Sequence, residues 1–177
     1  GAVMKASGNK PPGTLPLKGK YLAKDLKRCS EFFKVPLNMI KDSNALYTSL
    51  PAMRLLTAVS VREPNSLVDI SRSLWKRIWL KNVDIFEASS LINACMDGGL
   101  TEETARKMVD SCKGEDIRKK LKETTQAAIE KGAFGAPCLF VRLPANDSEE
   151  HFFFGSDRFD QIASMIDQPW FGPAPNI

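Results

Sequence analysis

Gly132-Ala133-Phe134-Gly135-Ala136-Pro137-Cys138-Leu139-Phe140-Val141 is followed, across a polar interruption, by Phe152-Phe153-Phe154-Gly155-Ser156-Asp157-Arg158. Two short apolar runs joined by a polar link read as a β-hairpin, Leu139 to Val141 against Phe152 to Phe154. Pro137 stands just ahead of the first strand. Proline carries no amide proton, so the residue before it keeps a free backbone edge with which an extended peptide can pair. A cis Ala136-Pro137 bond, which costs only about 0.5–1 kcal/mol at proline, turns the chain sharply and presents the Ala136 backbone to a ligand. After the second strand, Ser156 and Asp157 stand where the pattern begins a helix, with Phe159, Ile162, Ala163 and Ile166 as its apolar stripe. Free amides and the positive end of the helix dipole there predict an α-carboxylate at Ser156, and the Asp157 side chain suits an α-ammonium.

Upstream of the hairpin the chain reads as consecutive helices. Leu22, Leu26, Cys29 and Phe33 follow helical spacing, and Val35-Pro36 ends that segment. A second helix is predicted from Pro51 through Met53, Leu56 and Val59, and Pro64 marks the next boundary. Leu67, Ile70, Leu74 and Ile78 then make a stripe that Trp75 and Trp79 extend. Ala88, Leu91, Ile92 and Cys95 lead to a stop at Gly98-Gly99. Thr101 starts another helix carrying Ala105, Met108 and Cys112, and Ile117, Leu121, Thr125 and Ala128 mark the last one. Such stripes are core residues far more often than site residues.

Composition excludes several chemistries. The chain has 177 residues, 43% of them hydrophobic, enough for a core that needs neither disulfide nor metal. Its +4 formal charge is spread among 21 acidic residues, and the densest basic cluster, Arg118-Lys119-Lys120 with Lys122, is interrupted by Glu115, Asp116 and Glu123. That is a solvated mixed face rather than a nucleic-acid surface. No transmembrane run is present. Cys29, Cys95, Cys112 and Cys138 are far apart, with no C-x-x-C pair and no zinc spacing, which suits a reducing compartment. The first three fall on apolar stripes. Cys138 reads either as an inward strand residue or as a thiol close enough to the ligand for a mixed disulfide. His151 is the lone histidine and reads as a residue of the polar hairpin link, with no partner for zinc or a triad. Gly132-x-x-Gly135 and Gly98-Gly99 match no phosphate-binding loop, so neither a nucleotide nor a metal cofactor is indicated.

The proline, hairpin and Gly-Ser-Asp-Arg turn resemble the C-terminal half of kappa-class glutathione transferases, relatives of the DsbA-type thioredoxin-like proteins. The resemblance extends to Met4-Lys5-Ala6-Ser7-Gly8-Asn9-Lys10-Pro11-Pro12, Pro16-Leu17-Lys18-Gly19-Lys20-Tyr21, Arg77-Ile78-Trp79, Lys122-Glu123-Thr124-Thr125 and Pro169-Trp170-Phe171-Gly172-Pro173. It implies an α/β thioredoxin-like fold with a large all-helical insertion. Residues 1–20 and 132–177 form the thioredoxin-like part, and residues 21–131 form the insertion that walls the cleft for an electrophile.

The resemblance also implies glutathione as co-substrate, bound by Asn9, Lys18, Ala136, Pro137, Ser156 and Asp157. Asn9 by itself suits a turn cap, and Lys18 by itself a solvated loop. In the family this asparagine contacts glutathione and this lysine pairs with the glycine carboxylate. Ser156 and Asp157 then take the two charged groups of the γ-glutamyl moiety, and the Ala136 backbone holds the middle. The family often carries a larger aliphatic residue at Ala136, but a backbone contact survives that change.

In this family a strand, a helix and the catalytic serine precede the segment that opens this chain. A first βαβ unit is therefore expected before Gly1, Gly1 to Met4 reads as the end of its second strand, and no residue here is assigned the serine's role. Without that unit the hairpin would present an open edge. The implied reaction is attack of the glutathione thiolate on an electrophilic carbon. The alternatives are a glutathione-binding module without turnover, a DsbA-like thiol-disulfide oxidoreductase, and a glutathione-dependent isomerase. The family further implies a homodimer and a mitochondrial or peroxisomal address; the ending Pro175-Asn176-Ile177 lacks the peroxisomal form, which favours mitochondria or cytosol.

Overall fold

The computed structural model describes residues 1–40, 48–143 and 149–172. These form two compact units, Gly1–Val35 with Thr125–Ile177, and Pro36–Thr124. The Asn146 to Ser148 part of the hairpin link and the tail from Pro173 lie outside the described residues.

The unit Pro36–Thr124 is built from helices whose apolar stripes meet. Helix α3 (Leu50–Arg62) has Pro51 in its first turn, where a missing amide proton breaks no intrahelical bond, and it buries Ala52, Leu55, Ala58 and Val59. Helix α4 (Leu67–Lys76) buries Ile70 and Leu74, and a five-residue π-helical turn, Arg77–Lys81, carries Ile78 into the same core. Helix α5 (Ala88–Asp97) contributes Leu91, Ala94 and Cys95. Helix α6 (Glu102–Ser111) starts where the Thr101 hydroxyl accepts the Thr104 amide at 3.2 Å, with Glu102 and Glu103 complementing the dipole in its first turn. Ala105, Met108 and Val109 complete the packing, along with Ile117 from helix α7 (Glu115–Glu130). Gly98 caps α5 because nothing larger fits: a β-carbon there would lie 2.9 Å from the Ile70 backbone. Most of the stripe residues read between Pro51 and Ile117 thus form the core, but Met53 is exposed. Leu121, Thr125 and Ala128 of the last stripe stay outside it, as do Leu22, Leu26, Cys29 and Phe33 of the first. Trp75 points outward and is 58% exposed, while Trp79 packs partly buried against the cluster.

The other unit begins differently from the expectation. Residues Ala2–Ser7 form a short helix, α1, and not the end of a strand. Ala, Met and Lys favour helix, and the described sheet offers this segment no ladder. A 3-10 turn (Pro12–Thr14) leads into helix α2 (Pro16–Phe33), which starts six residues before the Leu22 stripe because Pro16 opens its first turn. Strands β1 (Cys138–Val141) and β2 (His151–Phe154) pair antiparallel, Cys138 opposite Phe154 and Val141 opposite His151. His151 is therefore a strand residue rather than a link residue. Phe134 meets Phe154 at 4.5 Å and Phe152 at 5.7 Å between ring centroids, and Phe140 meets Phe152 at 5.1 Å. Lys131 covers the Phe140 ring at 4.9 Å and ion-pairs with Glu150 at 2.6 Å. Helix α8 (Phe159–Met165) closes the unit, burying Ile162 and Ala163. None of the described helices is long and apolar enough to cross a membrane.

Candidate functional site

All six residues singled out from the sequence lie in the unit formed by Gly1–Val35 and Thr125–Ile177. The Ala136-Pro137 bond is cis, and both residues are exposed directly ahead of β1. The register of the hairpin brings the far end of β2 back to them: Cys138 pairs with Phe154, and the Gly155 amide donates to the Pro137 carbonyl at 3.1 Å. The Gly155 to Asp157 turn therefore starts beside Pro137.

Asn9 arrives from the other end of the chain. Its Nδ2 donates to the Phe134 carbonyl at 2.8 Å, and its Oδ1 accepts the Lys10 amide at 2.8 Å. Both polar ends of the side chain are thus used to fasten the N-terminal loop onto the loop that carries Ala136. Ser7 Oγ reaches the same Phe134 carbonyl at 3.5 Å. Gly135 sits where these pieces converge, because a β-carbon there would lie 2.8 Å from the Phe154 ring and 3.7 Å from Asn9 Nδ2. Reading the sequence missed Ser7 and Phe134 as fasteners. The signal was present only as a serine and an asparagine two apart around Gly8.

Ser156 and Asp157 depart from the expected helix start. Helix α8 begins at Phe159 with Arg158 as its N-cap, and no side chain caps it. The Asp157 carboxylate turns instead to the Arg158 guanidinium, 2.8 Å away, and folds back over Gly155. A short acidic side chain next to arginine is held by that neighbour before it can serve the helix amides. The two residues remain an exposed polar turn beside Pro137, so a ligand ammonium at Asp157 would share the carboxylate with Arg158.

Lys18 is exposed in the first turn of α2 rather than in a loop, and among the described residues no hydrogen bond or ion pair joins it to the other five. Cys138 is half-buried on β1, and its Sγ donates to the Gly135 carbonyl at 3.2 Å. Cys95 and Cys112 lie in the other unit, where burial pushes their thiols up to about 12 and about 11. Among the described residues no group of three or more His, Cys, Asp or Glu side chains is arranged to hold a metal ion.

This arrangement, a cis-proline loop, a hairpin and an adjoining polar turn, belongs to a thioredoxin-like domain: residues 1–167 match the DSBA-like thioredoxin domain family. Glutathione S-transferase kappa 1 of Homo sapiens is 40% identical over 176 residues, which is 98% of this chain and 76% of that protein. Glutathione S-transferase kappa 1 of Rattus norvegicus is 36% identical with the same coverage. A more distant relative, 2-hydroxychromene-2-carboxylate isomerase of Sphingobium xenophagum, is 26% identical over 168 residues, 91% of this chain and 75% of that protein. The chain belongs to the DSBA-like thioredoxin family and, within it, to the kappa class of glutathione transferases. Its fold is thioredoxin-like with a helical insertion.

Proposed function

We propose that the protein is a glutathione transferase that joins the glutathione sulfur to an electrophilic carbon. The observation that carries this reading is the 40% identity, over 98% of the chain, with a protein named glutathione S-transferase kappa 1. Glutathione is an extended tripeptide with two carboxylates and one ammonium. Its central cysteine residue pairs with the Ala136 backbone, whose edge Pro137 leaves open. The γ-glutamyl end meets Ser156 and Asp157, and the glycine carboxylate meets Lys18. Asn9 keeps the Ala136 loop at its height through the Phe134 carbonyl.

A free thiol near pKa 8.5 is mostly protonated at neutral pH, so turnover requires a group that stabilises the thiolate. No residue of this chain is assigned that role. The thiolate then forms the C–S bond as the leaving group departs with the electron pair. A homodimer and residence in mitochondria or the cytosol complete the proposal and rest on family analogy.

The test is calorimetric binding of glutathione to the protein and to Lys18→Ala and Asp157→Ala. Each exposed ionic contact is worth about 0.5–1 kcal/mol, so affinity should fall roughly two- to fivefold in each variant. Unchanged affinity in both sinks the site assignment, and absence of thioether product with an aryl halide sinks the transferase reading. The isomerase relative favours a second reading, glutathione-dependent isomerisation of an aromatic substrate. Product formation without net loss of glutathione identifies it.

A further inference from the structure

The unit Pro36–Thr124 contains a half-open pocket of about 490 Å³, lined by Asp69, Arg72, Ser73, Lys76, Lys81, Asp97, Gly98 and Gly99. Two of its lysines are there for a geometric reason. Positions five apart on an α-helix point about 140° from each other. The π-helical turn Arg77–Lys81 is wider, and it carries Lys81 round to the pocket that Lys76 also borders. Such turns recur at functional sites because they re-aim side chains at a cost in helix geometry.

The charges around the pocket do not cancel. Asp69 is taken by Arg72 at 3.3 Å, and Asp97 by the Ser73 hydroxyl at 3.4 Å and by Arg77 at 3.6 Å. Lys76 and Lys81 have no ion pair among the described residues. Behind Asp97, Arg77 is buried, and its Nε has no hydrogen-bond partner among the described residues. Arg72, Lys76 and Lys81 against Asp69 and Asp97 leave the lining with a net positive charge, which an anion would complement.

We propose that this pocket binds a small hydrophilic phosphate ester. A dianionic phosphoryl group matches the lysine pair, since lysine binds phosphate as a compact point charge. The lining offers no aromatic or aliphatic side chain, which disfavours a nucleobase or an acyl chain. It offers the Asp69 and Asp97 carboxylates and the Ser73 hydroxyl, which suit the hydroxyls of a sugar. The volume falls within the range of about 300–1,000 Å³ common for small-molecule sites. Gly99 has open space where a side chain would stand, so the ligand can approach the backbone there. The proposal rests on no part of the glutathione reading, since every residue it uses lies in the other unit.

The experiment is an amide-resolved NMR titration of the full ¹⁵N-labelled chain with glucose 6-phosphate, with glucose and with inorganic phosphate, at physiological salt. Expected are saturable shifts at Lys76 to Lys81 and at Gly98-Gly99 with glucose 6-phosphate, none with glucose, and weaker ones with inorganic phosphate. The double variant Lys76→Gln/Lys81→Gln, whose side chains are exposed and whose folding circular dichroism checks, should weaken binding roughly tenfold or more. Lys18→Ala should leave it unchanged. The proposal is overturned by no saturable shift, by equal shifts with glucose, by equal affinity for inorganic phosphate, or by undiminished binding in the double variant.

Discussion

In the unit Pro36–Thr124, four helices turn Leu55, Val59, Ile70, Leu91, Cys95 and Ile117 into one cluster from which water is almost absent. In the unit that carries the candidate site, helix α2 buries no residue, and Leu17, Tyr21, Phe32, Phe152 and Phe154 are exposed. Its described buried side chains are small or few: Ala133, Ile162 and Ala163. One unit is held by burial, the other by a hairpin, an aromatic ladder and polar fasteners such as Asn9. Binding backbone and polar turns need to face solvent, and the six candidate site residues sit where burial is sparse.

The largest expected effect separates the units by thiol chemistry. The thiolate is the reactive form, and at pH 8 a thiol raised to about 12 is ionised only to about one part in ten thousand. Cys95 and Cys112 should therefore resist an aromatic disulfide reagent in the native protein, while the half-buried Cys29 and Cys138 react. Titration should count two fast thiols before denaturation and four after it. Equal rates for Cys95 and Cys138, resolved by peptide mass mapping, would break the contrast between the units.

Stability should divide the same way. Leu55 is fully buried, so Leu55→Ala loses its transfer energy and leaves a cavity, about 2–5 kcal/mol in urea unfolding. Leu22 on α2 is only half-buried, so Leu22→Ala should cost less than about 1.5 kcal/mol. Similar costs would mean that α2 is held by burial after all. For the polar fasteners, Asn9→Ala removes one hydrogen bond to the Phe134 carbonyl and one from the Lys10 amide, each worth about 0.5–1.5 kcal/mol net. The melting temperature should fall by a few degrees and glutathione affinity by severalfold. A drop in melting temperature alone would leave Asn9 as a turn cap and nothing more.

The same contrast governs what the sequence discloses. The stripe Leu67, Ile70, Leu74 and Ile78 and the Thr101 start are legible because helical burial repeats with the chain itself. The hairpin was legible for the same local reason, and Pro137 left a cis bond open at low cost without deciding it. What depends on distant partners was hidden. Nothing near Asn9 announces the Phe134 carbonyl, 125 positions away. Arg158 competes for the Asp157 carboxylate and displaces the helix start by two residues, which a capping preference alone does not foresee. The π-helical turn that gathers Lys76 and Lys81 has no periodicity to betray it.

The smallest effect probes the polar network inside the buried unit. Burial of Asp84 opposes its charge, but the Ser90 hydroxyl at 2.7 Å, the Glu87 and Phe86 amides and the Arg77 charge outweigh it and hold the carboxyl below its ordinary value of 3.8. A depressed carboxyl stabilises the fold above the unfolded value, and that contribution is lost as pH falls through the lower folded value. Urea midpoints followed downward from about pH 6 should therefore decline through the region below about pH 4. Asp84→Asn never has the ionised partner, so its midpoint should start lower and fall less over the same interval. The Ser90 hydroxyl joins Asp84 to Arg77 Nη2 at 3.3 Å, so loss of the carboxylate also loosens a buried guanidinium whose Nε has no acceptor among the described residues. Parallel curves for the two proteins would assign the acid sensitivity to exposed pairs such as Arg62 with Asp116, and the buried unit would then owe its cohesion to apolar packing alone.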